Sequence, residues 1–265
     1  MHQELSPVRS SYMKSLIFTV VAILVTPLAV TGEAEKKSAI DPKAAEILRR
    51  TASFYTQAKS MSVELTMSLE VSSEDKTETY SAVYDVAIEK PNKVAIRLKK
   101  GIGFTIISDG KHVYTYSTTS NQYTRTDAPA TLDAFFGSKF GRDDAPEKNE
   151  VVKAGGGVYE ILIEGVNKAE YAGVDVKGPI KAHKIRAQTT EHAWNLLIKD
   201  GDQPHVLEAS PSHASLIAIL AHQVTGKDFN VNLKLTNWLI GDQVHEDTFK
   251  FKSPAGAKQV HNLLN

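Results

Sequence analysis

The 265-residue chain contains no cysteine. That absence excludes disulfides, thiolate metal sites, a cysteine nucleophile and a lipid-modified N-terminal cysteine. Charge of one sign is not in excess either, with 31 basic against 31 acidic residues. Nucleic-acid binders use a basic surplus to displace counterions from phosphates, and there is none here. Catalytic signatures are missing too. There is no Gly-x-Ser-x-Gly elbow and no His-Glu-x-x-His. Gly155-Gly156-Gly157 reads as a turn, because neither Lys-Ser/Thr nor a helix start follows it to cradle a phosphate. Ser210-Pro211-Ser212-His213 has no orienting acid beside it. The nine histidines are dispersed. His183, His192, His205, His213 and His222 fall in different elements, without metal-ligand spacing. No cofactor is expected.

A full membrane span is also lacking. From Met13-Lys14 a short basic region precedes the apolar run Leu16–Val25, then Thr26-Pro27 and small residues up to Ala34. The apolar stretch is about 15 residues and Pro27 interrupts it, whereas a bilayer takes about 20. This is the layout of a secretory signal peptide cleaved after Gly32 or Ala34, with Met13 a possible true start. An uncleaved anchor is the alternative. Without a lipidation site, the cleaved product is expected in the periplasm or outside the cell. Residues 35–40 read as an unstructured charged leader, 41–260 as a single domain without a Pro-, Gly- or Ser-rich linker, and 261–265 as a tail.

What is present is alternation. Val63, Leu65, Met67, Leu69 and Val71 share one face of a strand over Ser62–Val71, and Glu64, Thr66, Ser68 and Glu70 share the other. The pattern returns over Thr77–Glu89, with Ala82, Tyr84, Val86 and Ile88 on one side, and over Val94–Lys99. Lys90-Pro91-Asn92-Lys93 turns the chain between them, since Pro cannot donate to a central ladder. Asp109-Gly110 joins Phe104–Ser108 to His112–Ser117 as a hairpin. Further strands are expected at Gln122–Thr126, Tyr159–Val166, Val174–Lys177, Ala182–Thr189, Ala193–Lys199, Phe229–Leu239 and Thr248–Phe251. Ser212–Val224 is compatible with a short helix or a buried strand.

Two amphipathic helices complete the pattern. Asp41-Pro42 opens the first as N-cap and N1 proline, with Ile47, Leu48, Thr51, Phe54, Tyr55 and Ala58 along one stripe. The second runs over Thr131–Phe140, with Leu132, Phe135, Phe136 and Phe140 on one side. Together they predict a mainly β (α+β) protein: one curved, mostly antiparallel sheet with helices on its concave face.

Lys90-Pro91-Asn92-Lys93-Val94-Ala95-Ile96-Arg97 resembles the basic-Pro-x-basic-x-x-x-Arg element of the lipoprotein-localisation carriers, the LolA/LolB-like fold. Asp109-Gly110-Lys111-His112-Val113-Tyr114, Tyr171-Ala172-Gly173, His183, Trp194, Trp238 and the closing Phe249-Lys250-Phe251-Lys252-Ser253-Pro254-Ala255-Gly256-Ala257 follow in order. The series resembles the predicted periplasmic proteins called domain of unknown function 2092, similar in fold to those carriers. The resemblance implies a half-open β-barrel whose hydrophobic cavity, closed by helices as a lid, holds an acyl chain. It also implies membrane-protein partners, although no residue here identifies one. The outer-membrane receptor of that system is lipid-anchored, so a cysteine-free chain fits a soluble carrier better.

The expected cavity lining is Leu65, Met67, Leu69, Ile96, Leu98, Phe104 and Ile106 from the sheet, facing Phe54, Phe135 and Phe136 from the helices. An ordinary filled core is the competing reading of the same residues. In the carriers an inward strand arginine can hold the lid. Here parity puts Arg97 opposite Ile96 and Leu98, as a solvated outer-face charge beside Lys99 and Lys100. Trp194 and Trp238, without a basic surround, read as core or rim aromatics. The sequence thus predicts an exported, non-enzymatic lipid- or lipophile-binding protein. The alternative is an envelope interaction module with a filled core, acting through a protein partner.

Overall fold

The computed structural model describes residues 39–73, 76–132, 134–135, 166–188, 193–211, 228–241 and 244–263. The signal peptide, residues 136–140 of the second helix, all but the last residue of the strand expected over Tyr159–Val166, and Ser212–Val224 lie outside them.

The Asp41 carboxylate accepts from the backbone N–H of Lys43 at 2.8 Å and of Ala44 at 3.1 Å, which satisfies two of the unpaired donors at the start of α1 (Pro42–Gln57). Ala44, Ile47, Leu48, Thr51, Ala52 and Tyr55 form its buried stripe. Phe54, expected on that stripe, sits at its rim and is half-buried. Just before the helix, β1 (Ala39–Ile40) pairs in parallel with β8 (Lys168–Lys177), so the end of the expected leader is a sheet edge.

From α1 the chain enters a meander of β2 (Ser60–Ser73), β3 (Lys76–Glu89), β4 (Lys93–Lys100), β5 (Phe104–Ser108), β6 (His112–Ser117) and β7 (Gln122–Asp127). A second meander follows: β8, β9 (Ile180–Gln188), β10 (Ala193–Lys199), β11 (Val206–Pro211) and β12 (Asp228–Ile240). The two join where β12 pairs antiparallel with β2, giving one curved open sheet in the order β1-β8-β9-β10-β11-β12-β2-β3-β4-β5-β6-β7-β13, with β13 at Lys258–Gln259. It is a mostly antiparallel half-open barrel. Both edge strands are two-residue segments paired in parallel, and such short edges offer little template for another chain.

Register carries the period-two pattern into a single face. Leu65 pairs with Tyr84 on one side and Leu235 on the other, Met67 with Ala82 and Leu233, and Ile96 with Val86 and Ile106. Gly101 lets β4 approach β3: its φ is +104°, and a Cβ there would meet the Ser81 carbonyl oxygen at 2.8 Å.

The C-terminal segment departs from expectation. Thr248–Phe251, predicted as a strand, instead begins in a 3-10 turn over Glu246–Phe249 laid on the outer face. Phe249, 2% exposed, packs there with Ala87, Ala95 and Ile107, and Phe251 stacks on Tyr114 with ring centroids 4.7 Å apart. A strand would give its carbonyls to a ladder neighbour. Here Arg97 takes two of them, donating to Thr248 O at 3.0 Å and Lys250 O at 2.7 Å. Arg97 is therefore on the outer face, as parity required, but it is a clamp and not a solvated charge. Burial lowers its pKa, while Asp85 beside it opposes the shift. Lys99, on the same face, bridges Glu64 at 2.6 Å and Asp85 at 3.2 Å.

Arg97→Ala is expected to cost about 1.5–3 kcal/mol, the range for hydrogen bonds to a charged group. It should also speed tryptic cleavage at Lys250 and Lys252, because the segment loses its tether. Unchanged digestion kinetics would mean that Phe249 and Phe251 hold it without the clamp.

Candidate functional site

The inner face of the sheet gathers most of the predicted lining. Leu65, Met67, Leu69, Ile96, Phe104, Ile106 and Phe135 are all buried in one apolar cluster, with Leu98 half-buried against it. Phe135 belongs to a helical turn starting at Leu132, whose N–H reaches Pro91 O at 2.7 Å. Phe54 is not among the buried members, and its ring lies against that of Tyr55, with centroids 5.7 Å apart. Phe136 lies outside the described residues. From the second meander, Ala169, Ile185, Ala187, Trp194, Ile198, Val206, Ala209, Leu233 and Leu235 extend the cluster.

Helix α1 packs its apolar stripe into this cluster and is fastened by polar contacts to both meanders, with the Lys90 ammonium of the β3–β4 turn donating to Thr56 O. Asp41 N donates to Ala169 O at 2.9 Å, the Lys43 ammonium lies 4.0 Å from the centre of the Tyr171 ring, and Arg50 donates to Gly201 O at 2.7 Å. At its last turn the buried Tyr55 hydroxyl accepts from Val206 N at 2.9 Å. Val206 O in turn accepts from Trp238 Nε1 at 3.2 Å. Trp238 reaches the inner face through a bulge in β12. Parity from Leu233 and Leu235 points Asn237 inward, but Asn237 takes φ +56° and the register slips between Thr236 and Leu239.

The His205 ring lies tilted by 41° against that of Trp238, with centroids 5.1 Å apart, and is 7% exposed, with no partner for Nδ1 among the described residues. Burial, with Lys199 adding to it, pushes its pKa down to about 4, so the ring is neutral. Nearby, Asp200 at the Asp200-Gly201 turn receives Lys181 at 2.9 Å and His183 Nε2 at 3.1 Å. Those two partners hold its carboxyl down at about 2. His183 Nδ1 lies 3.3 Å from the Tyr171 hydroxyl. The Asp200, His183 and Tyr171 chain ties the β10–β11 turn to β8 and β9 beneath α1.

Of the interior polar groups, the pattern had flagged the tryptophans and Tyr84 only as face residues. The roles of Tyr55 and His205 had no signal in the sequence, because both depend on contacts made across the fold. Among the described residues, no group of three His, Cys, Asp or Glu side chains converges as metal ligands would. Also among them, no helix is long and apolar enough to cross a membrane. His192, His213, His222 and Ser212 lie outside the described residues.

Residues 44–263 match the family model described as predicted periplasmic protein (DUF2092). The chain belongs to that family. No protein with a curated description matches this DUF2092 member in sequence. Among solved structures it is similar to an uncharacterized conserved protein from Thermus thermophilus, with TM-score 0.45 and 15% identity over 82% of this chain and 98% of that one. It is also similar to the Mycobacterium tuberculosis lipoprotein LppX, with TM-score 0.40 and 13% identity over 78% and 100%. A LolA superfamily protein from Nitrosomonas europaea gives TM-score 0.31 and 9% identity over 78% and 97%.

Proposed function

We propose that this DUF2092 member is an exported periplasmic protein that binds a lipid or other lipophile between the inner sheet face and its helices, and that it acts by binding, not catalysis. The observation that carries the reading is the inner face itself. It is one apolar cluster from Ala169 in β8 to Val113 in β6, and α1, the one long helix among the described residues, packs its apolar stripe into it. Lifting α1 would expose Ile47, Leu48 and Tyr55, at roughly 1.5–3 kcal/mol for each large side chain. An acyl chain entering the same contacts offsets this at about 0.8 kcal/mol per methylene, so about a dozen methylenes suffice. Met67 and the phenylalanines Phe104 and Phe135 suit a flexible guest. A role as a soluble carrier of acylated molecules or lipoproteins follows, with an envelope membrane protein as its exchange partner.

The second reading, an interaction module with a filled core, draws on a different observation. Val174 and Val176 stand exposed on one face of the β8–β9 hairpin, with Ile180 exposed on the other. An exposed apolar pair on one strand face suits a protein contact.

Native mass spectrometry of the mature protein, purified from the periplasm without detergent and followed by lipid extraction, separates the two. A stoichiometric lipid adduct is expected. A bare mass that stays bare after incubation with phospholipids or acylated peptides leaves the partner-binding module as the reading.

A further inference from the structure

We propose that the Tyr84 hydroxyl is the polar recognition point inside this site, donating a hydrogen bond to the carbonyl oxygen of an ester-linked acyl chain. The inference rests on the lipid-binding reading and adds the group that orients the ligand. Tyr84 stands in the middle of β3, paired in register with Leu65 of β2 and Leu98 of β4, and is 1% exposed. Its Oη is buried and has no hydrogen-bond partner among the described residues.

Among the described residues the Thr56 hydroxyl is the other buried one left unpaired, while three further interior hydroxyls are satisfied. Tyr55 Oη accepts from Val206 N at 2.9 Å, Thr51 donates to Ile47 O at 2.9 Å, and Ser108 donates to Asn92 O at 2.8 Å. A phenol left unpaired in an apolar interior forfeits its hydration and receives nothing in exchange, so native proteins rarely keep one without a use for it. Phenylalanine would fill the same volume without that penalty.

The surroundings select the partner. Leu65, Leu98, Ile96 and Ala82 flank Tyr84 on the inner face, and none offers a charge to balance a phosphate or carboxylate. A buried ion there would be unpaired, whereas a neutral carbonyl needs only one donor. Burial also raises the phenol's pKa, so the group stays an O–H donor at any envelope pH. A ligand that meets Tyr84 with its carbonyl has its hydrocarbon on the apolar face and its headgroup directed away. Such a contact sets orientation and discriminates by linkage, because a site built to pair one polar group rejects an analogue that lacks it.

The test uses the mature protein and Tyr84→Phe, each titrated with hexadecanoyl lysophosphatidylcholine and with its matched hexadecyl ether, which has no carbonyl. The wild type is expected to prefer the ester by roughly tenfold, the size of one hydrogen bond to a buried neutral group. Tyr84→Phe should bind both at the ether's affinity and should melt at a higher temperature when free of ligand. An ester-to-ether ratio that is the same in both proteins overturns the assignment while leaving lipid binding intact. A free Tyr84→Phe that melts lower than wild type also overturns it, since the hydroxyl would then have a partner within the protein. If the wild type binds neither compound, the lipid-binding reading fails and the Tyr84 assignment falls with it.

Discussion

Leu65→Glu is expected to abolish cooperative unfolding at neutral pH. Leu65 is 1% exposed and lies between Tyr84 and Leu235 on the adjoining strands. An ionised carboxylate at that point has no cation within the cluster, and its desolvation exceeds the roughly 5–15 kcal/mol that holds a typical domain together. Protonation relieves the charge by raising the carboxyl pKa, but the neutral acid still leaves polar atoms unpaired. The lost leucine packing adds about 2–5 kcal/mol, the range seen when a buried leucine is truncated. Val176→Glu serves as the control. Val176 is 67% exposed, and a charge there should move stability by no more than about 0.5 kcal/mol. Urea denaturation followed by the fluorescence of Trp194 and Trp238, both in or against the inner cluster, reads the difference. A wild-type midpoint for Leu65→Glu would mean that water already reaches the inner face.

Stability is also expected to fall by about 3 kcal/mol as pH drops from about 6.5 to about 4, the consequence of one buried imidazole. His205 is held at about 4 in the folded chain, against 6.5 when free, because burial and Lys199 disfavour its charged form. The unfolded chain therefore takes up the proton first as acid is added. Between the two values it binds more protons than the folded chain, and each pH unit shifts the balance toward unfolding by about 1.4 kcal/mol. The full contribution is present above 6.5, and no further loss from this group occurs below 4. His205→Gln, which has no titrating group, should flatten the window in melts taken at each pH. Asp200 adds a separate, more acidic loss. Its carboxyl is depressed from 3.8 to about 2, so its contribution is present above 3.8 and disappears only toward 2. A pH profile unchanged by His205→Gln would place the acid sensitivity elsewhere.

Most of the strands and one face of the sheet were legible in the chain. Val63, Leu65, Met67 and Leu69 alternate without interruption, and their parity carries through to burial because a strand's side chains have no freedom to change sides without a bulge. Asp41-Pro42 and Asp109-Gly110 marked a helix start and a hairpin through local backbone chemistry alone. Where a bulge intervened, parity failed. Asn237 in the left-handed region moved Trp238 to the inside, and nothing in Thr236-Asn237-Trp238 announces the slip. Thr248–Phe251 reads as a strand by composition, and β11 was not anticipated, since Val206–Pro211 shows no clean alternation.

The sequence by itself determined that a curved, mostly antiparallel sheet would present one apolar face, and which residues of β2 to β5 would line it. Only the tertiary structure decided what each face would meet. Arg97 holds Thr248 and Lys250, Tyr55 holds Val206, and Arg50 holds Gly201, each across more than 150 positions of chain. It also left the Tyr84 hydroxyl without a partner among the described residues, while those of Tyr55, Thr51 and Ser108 found theirs. Periodicity records which way a side chain points. It carries no information about the partner brought there by the rest of the fold, and in this protein those partners fasten the helix, the C-terminal segment and the interior.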